Sequence, residues 1–244
     1  WSSSYYAPVA TTLTADPAYV VLYNPNASAI TVSWDTGAGA QVPITIAAKA
    51  TGYALMPASA AHFYTANGAK FFAVGLIDAD ATSNATHDWS YSLVPETYLT
   101  TKFVVAWGPG NNNAPVTGAA NGSPVWLTTT ANTSIFVDSA TVTVKDSKGI
   151  VVIGDQVGST STYEYEVKAL ESYRLFDSDN DQSGLTVYTT DGTLITAAWG
   201  EDPSIAGAGN PFLDMGTTVL PFPDYVFTKD SAEAKTVTYG VGVS

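Results

Sequence analysis

Tyr188-Thr189-Thr190-Asp191-Gly192-Thr193-Leu194-Ile195-Thr196-Ala197-Ala198-Trp199 reads as the end of one strand, a tight turn and the start of the next. Asp-Gly between two apolar runs is a hairpin signal, because glycine supplies the positive φ that such turns require. The same pattern occurs upstream, in Tyr64-Thr65-Ala66-Asn67-Gly68-Ala69-Lys70-Phe71-Phe72-Ala73-Val74-Gly75. A short aromatic strand precedes each copy, Gly52-Tyr53-Ala54-Leu55 in the first and Ser172-Tyr173-Arg174-Leu175 in the second. Other landmarks keep the same order. Ile30-Thr31-Val32 with Gly37 answers Val142-Thr143-Val144 with Gly149, and Leu93-Val94-Pro95 with Tyr98 answers Val219-Leu220-Pro221 with Tyr225. The copies lie about 120 residues apart, a period that suits two domains of ordinary size.

On this reading residues 1–110 form a first unit with an N-terminal segment, 111–122 a linker, and 123–244 a second unit ending in a strand or tail. The run Gly108-Pro109-Gly110-Asn111-Asn112-Asn113-Ala114-Pro115 has the composition of a linker or long loop. Elsewhere the strand signal dominates. Tyr19–Tyr23, Ile30–Trp34, Lys102–Trp107, Ser134–Val137 and Tyr163–Val167 are short and β-branched or aromatic, and Gly, Asn, Asp and Pro separate them. No stretch sustains a 3.6-residue period. The expected fold class is all-β, two tandem antiparallel β-sandwich units, immunoglobulin-like or jelly-roll-like, related by an internal repeat.

Composition narrows the function classes. Nine Lys plus Arg against 22 Asp plus Glu give a formal charge of -13, which repels phosphate backbones and makes nucleic acid an unsuitable partner. No run of about 18 apolar residues is present, so no membrane insertion by a helix is expected. With no cysteine there is neither a disulfide framework nor a thiolate metal site. Absent disulfides suit a bacterial or archaeal surface protein better than a eukaryotic secreted module of this size. The expected location is extracellular, at a prokaryotic cell surface.

Thr190-Asp191-Gly192-Thr193-Leu194-Ile195-Thr196-Ala197-Ala198-Trp199-Gly200-Glu201-Asp202-Pro203, followed by Leu213-Asp214-Met215-Gly216-Thr217-Thr218-Val219-Leu220-Pro221, resembles segments of large bacterial surface proteins. Those segments are similar to the N-terminal domain of the IgGFc-binding protein family. The first unit carries a weaker form of the skeleton in Ala73-Val74-Gly75, Trp89 and Leu93–Tyr98. The resemblance implies an extracellular β module used in adhesion or surface assembly. It does not imply antibody binding, since the shared motifs are turns and strands.

Few residues invite chemistry. Asp177, Asp179 and Asp181 alternate in Asp177-Ser178-Asp179-Asn180-Asp181-Gln182-Ser183-Gly184 and would offer hard oxygen ligands to one Ca²⁺. Gln182 stands where an EF-type loop needs Gly and Tyr188 where it needs a bidentate Glu, so a solvated polar loop is the competing reading. His62 and His87 are the only imidazoles, and no Gly-x-Ser-x-Gly motif accompanies either. Glu201-Asp202 and Asp78 with Asp80 follow equivalent strands, which favours a structural role over a glycosidase pair. Six Trp and 14 Tyr would make a glycan-stacking platform if coplanar and exposed.

The tail Ala234–Val243 alternates Val237, Tyr239, Val241 and Val243, and is a candidate donor strand for a neighbouring chain's sheet edge. The head Trp1–Pro8 is the other candidate. The expected function is therefore a non-enzymatic extracellular structural protein, either an adhesin segment or a self-assembling filament or surface-layer protomer. It would form a homo-oligomer or polymer by strand or edge contacts. Glycan binding is the alternative, and Ca²⁺ the one cofactor weighed.

Overall fold

The computed structural model describes residues 1–77, 88–108, 123–177, 181–206 and 215–222, with the backbone of 227–228 and 236–237. Strands make up 49% of the chain and helix 3%, so the fold is all-β with antiparallel sheets and no barrel. No helix among the described residues is long and apolar enough to cross a membrane.

The strands of the first half are β1 (Ser4–Ala7), β2 (Ala18–Tyr23), β3 (Ile30–Thr36), β4 (Gly39–Ala40), β5 (Ile44–Ile46), β6 (Thr51–Leu55), β7 (Ala61–Tyr64), β8 (Phe72–Ile77) and β9 (Trp89–Ser92). They form two sheets, β6-β2-β8-β9 and β1-β7-β3-β4, with β5 also paired to β3. Strand β2 alternates: Ala18, Val20 and Leu22 point inward, while Tyr19, Val21 and Tyr23 point out. Val20, Leu22 and Ala73 of one sheet share a core with Tyr5, Val32 and Phe63 of the other, the packing of a sandwich.

The second half contains β10 (Lys102–Val104), β11 (Val125–Thr129), β12 (Thr133–Asp138), β13 (Thr143–Lys145), β14 (Val151–Val152), β15 (Asp155–Gln156), β16 (Thr162–Val167), β17 (Tyr173–Phe176), β18 (Thr186–Tyr188), β19 (Ile195–Gly200) and β20 (Gly216–Val219). Its sheets are β14-β13-β17-β11-β19-β20 and β10-β18-β12-β16-β15. Val125, Leu127, Leu175 and Trp199 meet Phe103, Ile135, Val137 and Val187 in its core. Strands β21 (Phe227–Thr228) and β22 (Thr236–Val237) form a separate two-stranded ladder.

The order β6-β2-β8-β9 recurs as β17-β11-β19-β20, and β1-β7-β3-β5 recurs as β10-β18-β12-β16. Individual pairs recur as well. Ser4 opposes Tyr64 as Lys102 opposes Tyr188. Tyr5 bridges Pro95 as Phe103 bridges Pro221, and Ser2 bridges Phe71 as Thr100 bridges Ile195. The two Gly turns are built alike. Thr65 Oγ1 donates to the Ala69 carbonyl at 2.7 Å and Thr189 Oγ1 to that of Thr193 at 2.6 Å. Asn67 Oδ1 and Asp191 Oδ1 accept the amides of Ala69 and Thr193. Gly68 and Gly192 sit at φ 73° and 87°, as the Asn-Gly and Asp-Gly signals demand.

Strand pairing corrects three sequence expectations. Strand β10 lies ahead of the Gly108–Pro115 run but pairs with β18, so pairing divides the chain between β9 and β10, not at 110. The run belongs to the connection from β10 to β11, and composition alone does not distinguish such a connection from a linker. The counterpart of Ile30–Val32 is the start of β12, because β3 and β12 each pair with the strand before the Gly turn. Val142–Val144 instead leads into β13, which pairs with β17 in the other sheet. Finally, Tyr53 does not match Tyr173. Gly52 opposes Leu22 as Tyr173 opposes Leu127, a shift of one residue. Such a shift exchanges the faces of a strand: Tyr53 is 71% exposed and Tyr173 only 4%.

The halves dock through the outer face of β17-β11-β19-β20, which is therefore buried on both sides; every residue of β11 and β19 is buried. Trp126 and Ala198 of that face belong to the first half's core cluster. Trp89 lies on Gly200 and Gly216, where an added Cβ would come within 2.8 and 1.9 Å of its ring. Its indole N–H donates to the Glu201 carbonyl at 2.9 Å, and Thr218 Oγ1 donates to the Ser92 carbonyl at 2.7 Å.

Candidate functional site

Asp177 and Asp181 stand at the two ends of the acidic loop. The Asp177 carboxylate accepts from Thr141 Oγ1 at 2.9 Å and Ser139 Oγ at 3.4 Å. Asp181 Oδ1 accepts the Ser183 amide at 2.9 Å, the local bond of an Asx turn. Asp179 lies outside the described residues. Among the described residues no group of three or more His, Cys, Asp or Glu side chains could hold a metal ion. In the tail, Val237 opposes Phe227 in the β21–β22 ladder; Tyr239, Val241 and Val243 lie outside the described residues, as do Asp78, Asp80 and His87.

His62 is half-buried between two rings, stacked on Tyr6 at 4.1 Å and on Tyr64 at 4.9 Å. Ser4 Oγ is 2.7 Å from its Nε2, because β1 and β7 are hydrogen-bonded neighbours. A Ser-His contact of this kind is the start of a nucleophilic arrangement, which also needs an acid to orient the imidazole. The carboxylate of Asp35, opposite His62 on β3, instead takes the Tyr64 hydroxyl, whose pKa it raises. Burial lowers the His62 pKa against the opposing pull of Glu96 and Asp35. Burial raises that of Tyr6 to about 12, helped by the same two carboxylates.

Glu201 and Asp202 are fully buried at the contact between the halves, Asp202 beneath a hollow of about 280 Å³ whose lining includes its partners Thr12, Arg174 and Ser204. Asp202 pairs with Arg174, the chain's sole arginine, and accepts from Thr12 Oγ1 at 2.6 Å and from the amide and hydroxyl of Ser204 at 3.0 and 2.7 Å. Arg174 also donates to the Asp146 carbonyl and lies 5.8 Å from the Trp126 ring centroid. Ser172 Oγ donates to the Pro8 carbonyl at 2.5 Å. Thr12 to Asp202 and Ser172 to Pro8 cross between the halves, whereas the Arg174–Asp202 pair lies within the second half and fixes the carboxylate that receives Thr12. Sequence reasoning gave Asp202 a structural role but missed its partners Arg174 and Thr12; the signal was an arginine set inside an otherwise apolar strand.

Matching rows of the two sheets have different fates. The row Arg174–Trp126–Ala198–Thr218 of the second half is covered by the first half. Its counterpart in the first half is Tyr53–Val21–Val74–Ser92, and it faces outward. A hollow of about 460 Å³ opens there, lined by Tyr19, Val21, Thr51, Gly52, Tyr53 and Leu76. The exposed rings of this face are not coplanar. Trp1 meets Tyr23 at 43° and Phe72 at 71°, and Tyr19 meets Tyr53 at 76°. They do not make the flat platform on which a sugar ring stacks.

No family model matches the chain, and no curated protein does. Among solved structures it is similar to an "anti-sigma factor domain-containing protein" at 11% identity, covering 90% of this chain and 84% of that one. The TM-score is 0.20, too low a likeness to carry an argument about fold or function.

Proposed function

We propose that this chain is a non-enzymatic structural module of a prokaryotic cell surface, made of two copies of one sandwich unit and able to associate with further copies of itself. The observation that carries the reading is the use made of the buried polar groups. Thr12 bonds Asp202 and Ser172 bonds the Pro8 carbonyl across the contact between the halves, while Arg174 pairs with Asp202 inside the second half, so these chemistry-bearing side chains are consumed in internal structure. The resemblance of the Thr190–Pro221 region to bacterial surface modules points the same way. The tilted aromatic rings weigh against the glycan-binding alternative. The head is already committed, since β1 pairs with β7 of its own sheet, so strand donation rests with the tail and the unpaired edges that antiparallel sandwiches expose.

Electron microscopy of the purified chain over a concentration series, beside analytical ultracentrifugation, tests this. Filaments, sheets or a concentration-dependent oligomer are expected. A monomer at every concentration, or measurable turnover of polysaccharide substrates, would overturn it.

A further inference from the structure

Resting on that reading, we propose that the outer face of β6-β2-β8 docks the second half of another copy of this chain, repeating between molecules the sheet-face contact that joins the halves within one. Four observations converge. The equivalent face of the second half is fully buried along β11 and β19, whereas here Tyr53, Leu55 and Phe72 are 71%, 54% and 38% exposed. Strands β2 and β8, Ala-Tyr-Val-Val-Leu-Tyr and Phe-Ala-Val-Gly-Leu-Ile, are apolar or aromatic on both sides. That is the composition of strands covered on two faces, not of a sheet meant to face water. No outward residue of β6, β2 or β8 carries a charge. In a chain of formal charge -13, copies repel wherever carboxylates meet, and a neutral apolar face is where two can approach.

The fourth observation identifies the piece that docks. Within one molecule the segment following β1 reaches the second half's face, through the Pro8 carbonyl to Ser172 and Thr12 Oγ1 to Asp202. The corresponding segment of the second half follows β10 and begins Val105-Ala106-Trp107. Trp107 is 52% exposed although it packs edge-on against buried Trp199. On this proposal Trp107 is the aromatic side chain that enters the apolar hollow beside Tyr53. A contact between the second half of one copy and the first half of the next is heterologous, so it propagates head to tail.

The test uses the full chain. Tyr53→Glu with Leu55→Glu places two charges on the face, and Trp107→Glu places one on the projection. All three sites are more than half exposed, and circular dichroism checks that the fold is kept. Each variant alone is expected to self-associate at least about 100-fold more weakly than wild type, because an unpaired charge is costly to bury. Mixed in equal amounts, the two variants are expected to form a dimer and nothing larger, since one intact surface remains on each. As a measurement independent of affinity, Tyr53→Cys and Trp107→Cys in this cysteine-free chain should cross-link between molecules under mild oxidation. Wild-type assembly that survives both variants and yields no cross-link overturns this proposal and leaves the structural reading intact. A wild type that never assembles overturns both. Wild type that stays monomeric yet is retained on immobilised polysaccharide, with retention lost in Tyr53→Glu, would assign the face to a glycan and overturn it as well.

Discussion

Arg174→Met is the most informative single change in this molecule. The guanidinium and its partner Asp202 have side chains 4% and 0% exposed, so removing the cation strands a carboxylate out of reach of water. Breaking a buried pair by deleting one member costs about 3–5 kcal/mol. The lower part of that range applies here, because Thr12 Oγ1 and the amide and hydroxyl of Ser204 still donate to Asp202. For a chain of this length each kcal/mol moves Tm by about 2–4 °C, so a fall of roughly 6–12 °C is expected. Asp202→Asn removes the stranded charge but keeps an acceptor for Thr12 and Ser204. The double variant should therefore recover at least half of the loss, and the cycle should give a coupling of about 1–3 kcal/mol. Urea unfolding followed by tryptophan fluorescence is the assay, since Trp126 sits against the pair. A loss under about 1 kcal/mol for Arg174→Met, or no rescue by Asp202→Asn, would refute the claim that this ion pair stabilises the second half and the buried carboxylate that receives Thr12.

Other perturbations probe separate parts of the argument. Gly216→Ala would put a Cβ 1.9 Å from the Trp89 ring, and the resulting overpacking should cost about 1–3 kcal/mol in thermal unfolding. Gly192→Ala meets open space at φ 87°, so its cost of about 1–2 kcal/mol is conformational alone; equal stability would refute the turn assignment. Burial lowers the His62 pKa, so the unfolded chain binds the proton more readily and stability is lost as pH falls below the ordinary histidine value near 6.5. His62→Gln should flatten that part of the stability–pH profile measured between pH 7 and 5. Millimolar Ca²⁺ or a chelator should leave Tm unchanged if the Asp177–Asp181 loop is a solvated one; a rise of several degrees with Ca²⁺ would restore the metal reading.

What was legible in the sequence was what local chemistry encodes. Asn67-Gly68 and Asp191-Gly192 announce their turns because a positive φ leaves few residue choices, and both turns form with the same hydrogen bonds. Strand identity was legible for Lys102–Val104, but its partner β18 lies far along the chain, and nothing local names it. Register was the harder case. Tyr-Ala-Leu in β6 and Tyr-Arg-Leu in β17 look alike on the page, yet their tyrosines point to opposite faces. A period-two pattern fixes which residues share a face, not which face meets the core. The docking of the halves was invisible for a related reason: Trp126 and Ala198 read as ordinary strand residues, and only the fold brings Trp89 across to Gly200 and Gly216.

Those two glycines also separate the contact inside the molecule from the one proposed between molecules. Gly200 opposes Gly216 in the second half, and the corresponding pair in the first half is Leu76 opposite Ser90. Trp89 seats on the glycines because no Cβ stands there; at Leu76 and Ser90 side chains fill that space. A neighbouring copy therefore has no equivalent seat for a tryptophan on this part of the face, and finds the hollow beside Gly52 and Tyr53 instead. The inner contact adds hydrogen bonds between the halves, one of them to a carboxylate already paired with Arg174, while the outer face offers apolar area with no charged partner. Hydrophobic contact without directional bonds slides and dissociates more readily than contact fixed by them. On the proposed contact the same sheet face would serve twice, as a permanent joint where it carries Arg174 and two glycines, and as a reversible one where it carries Tyr53, Val21 and Leu76.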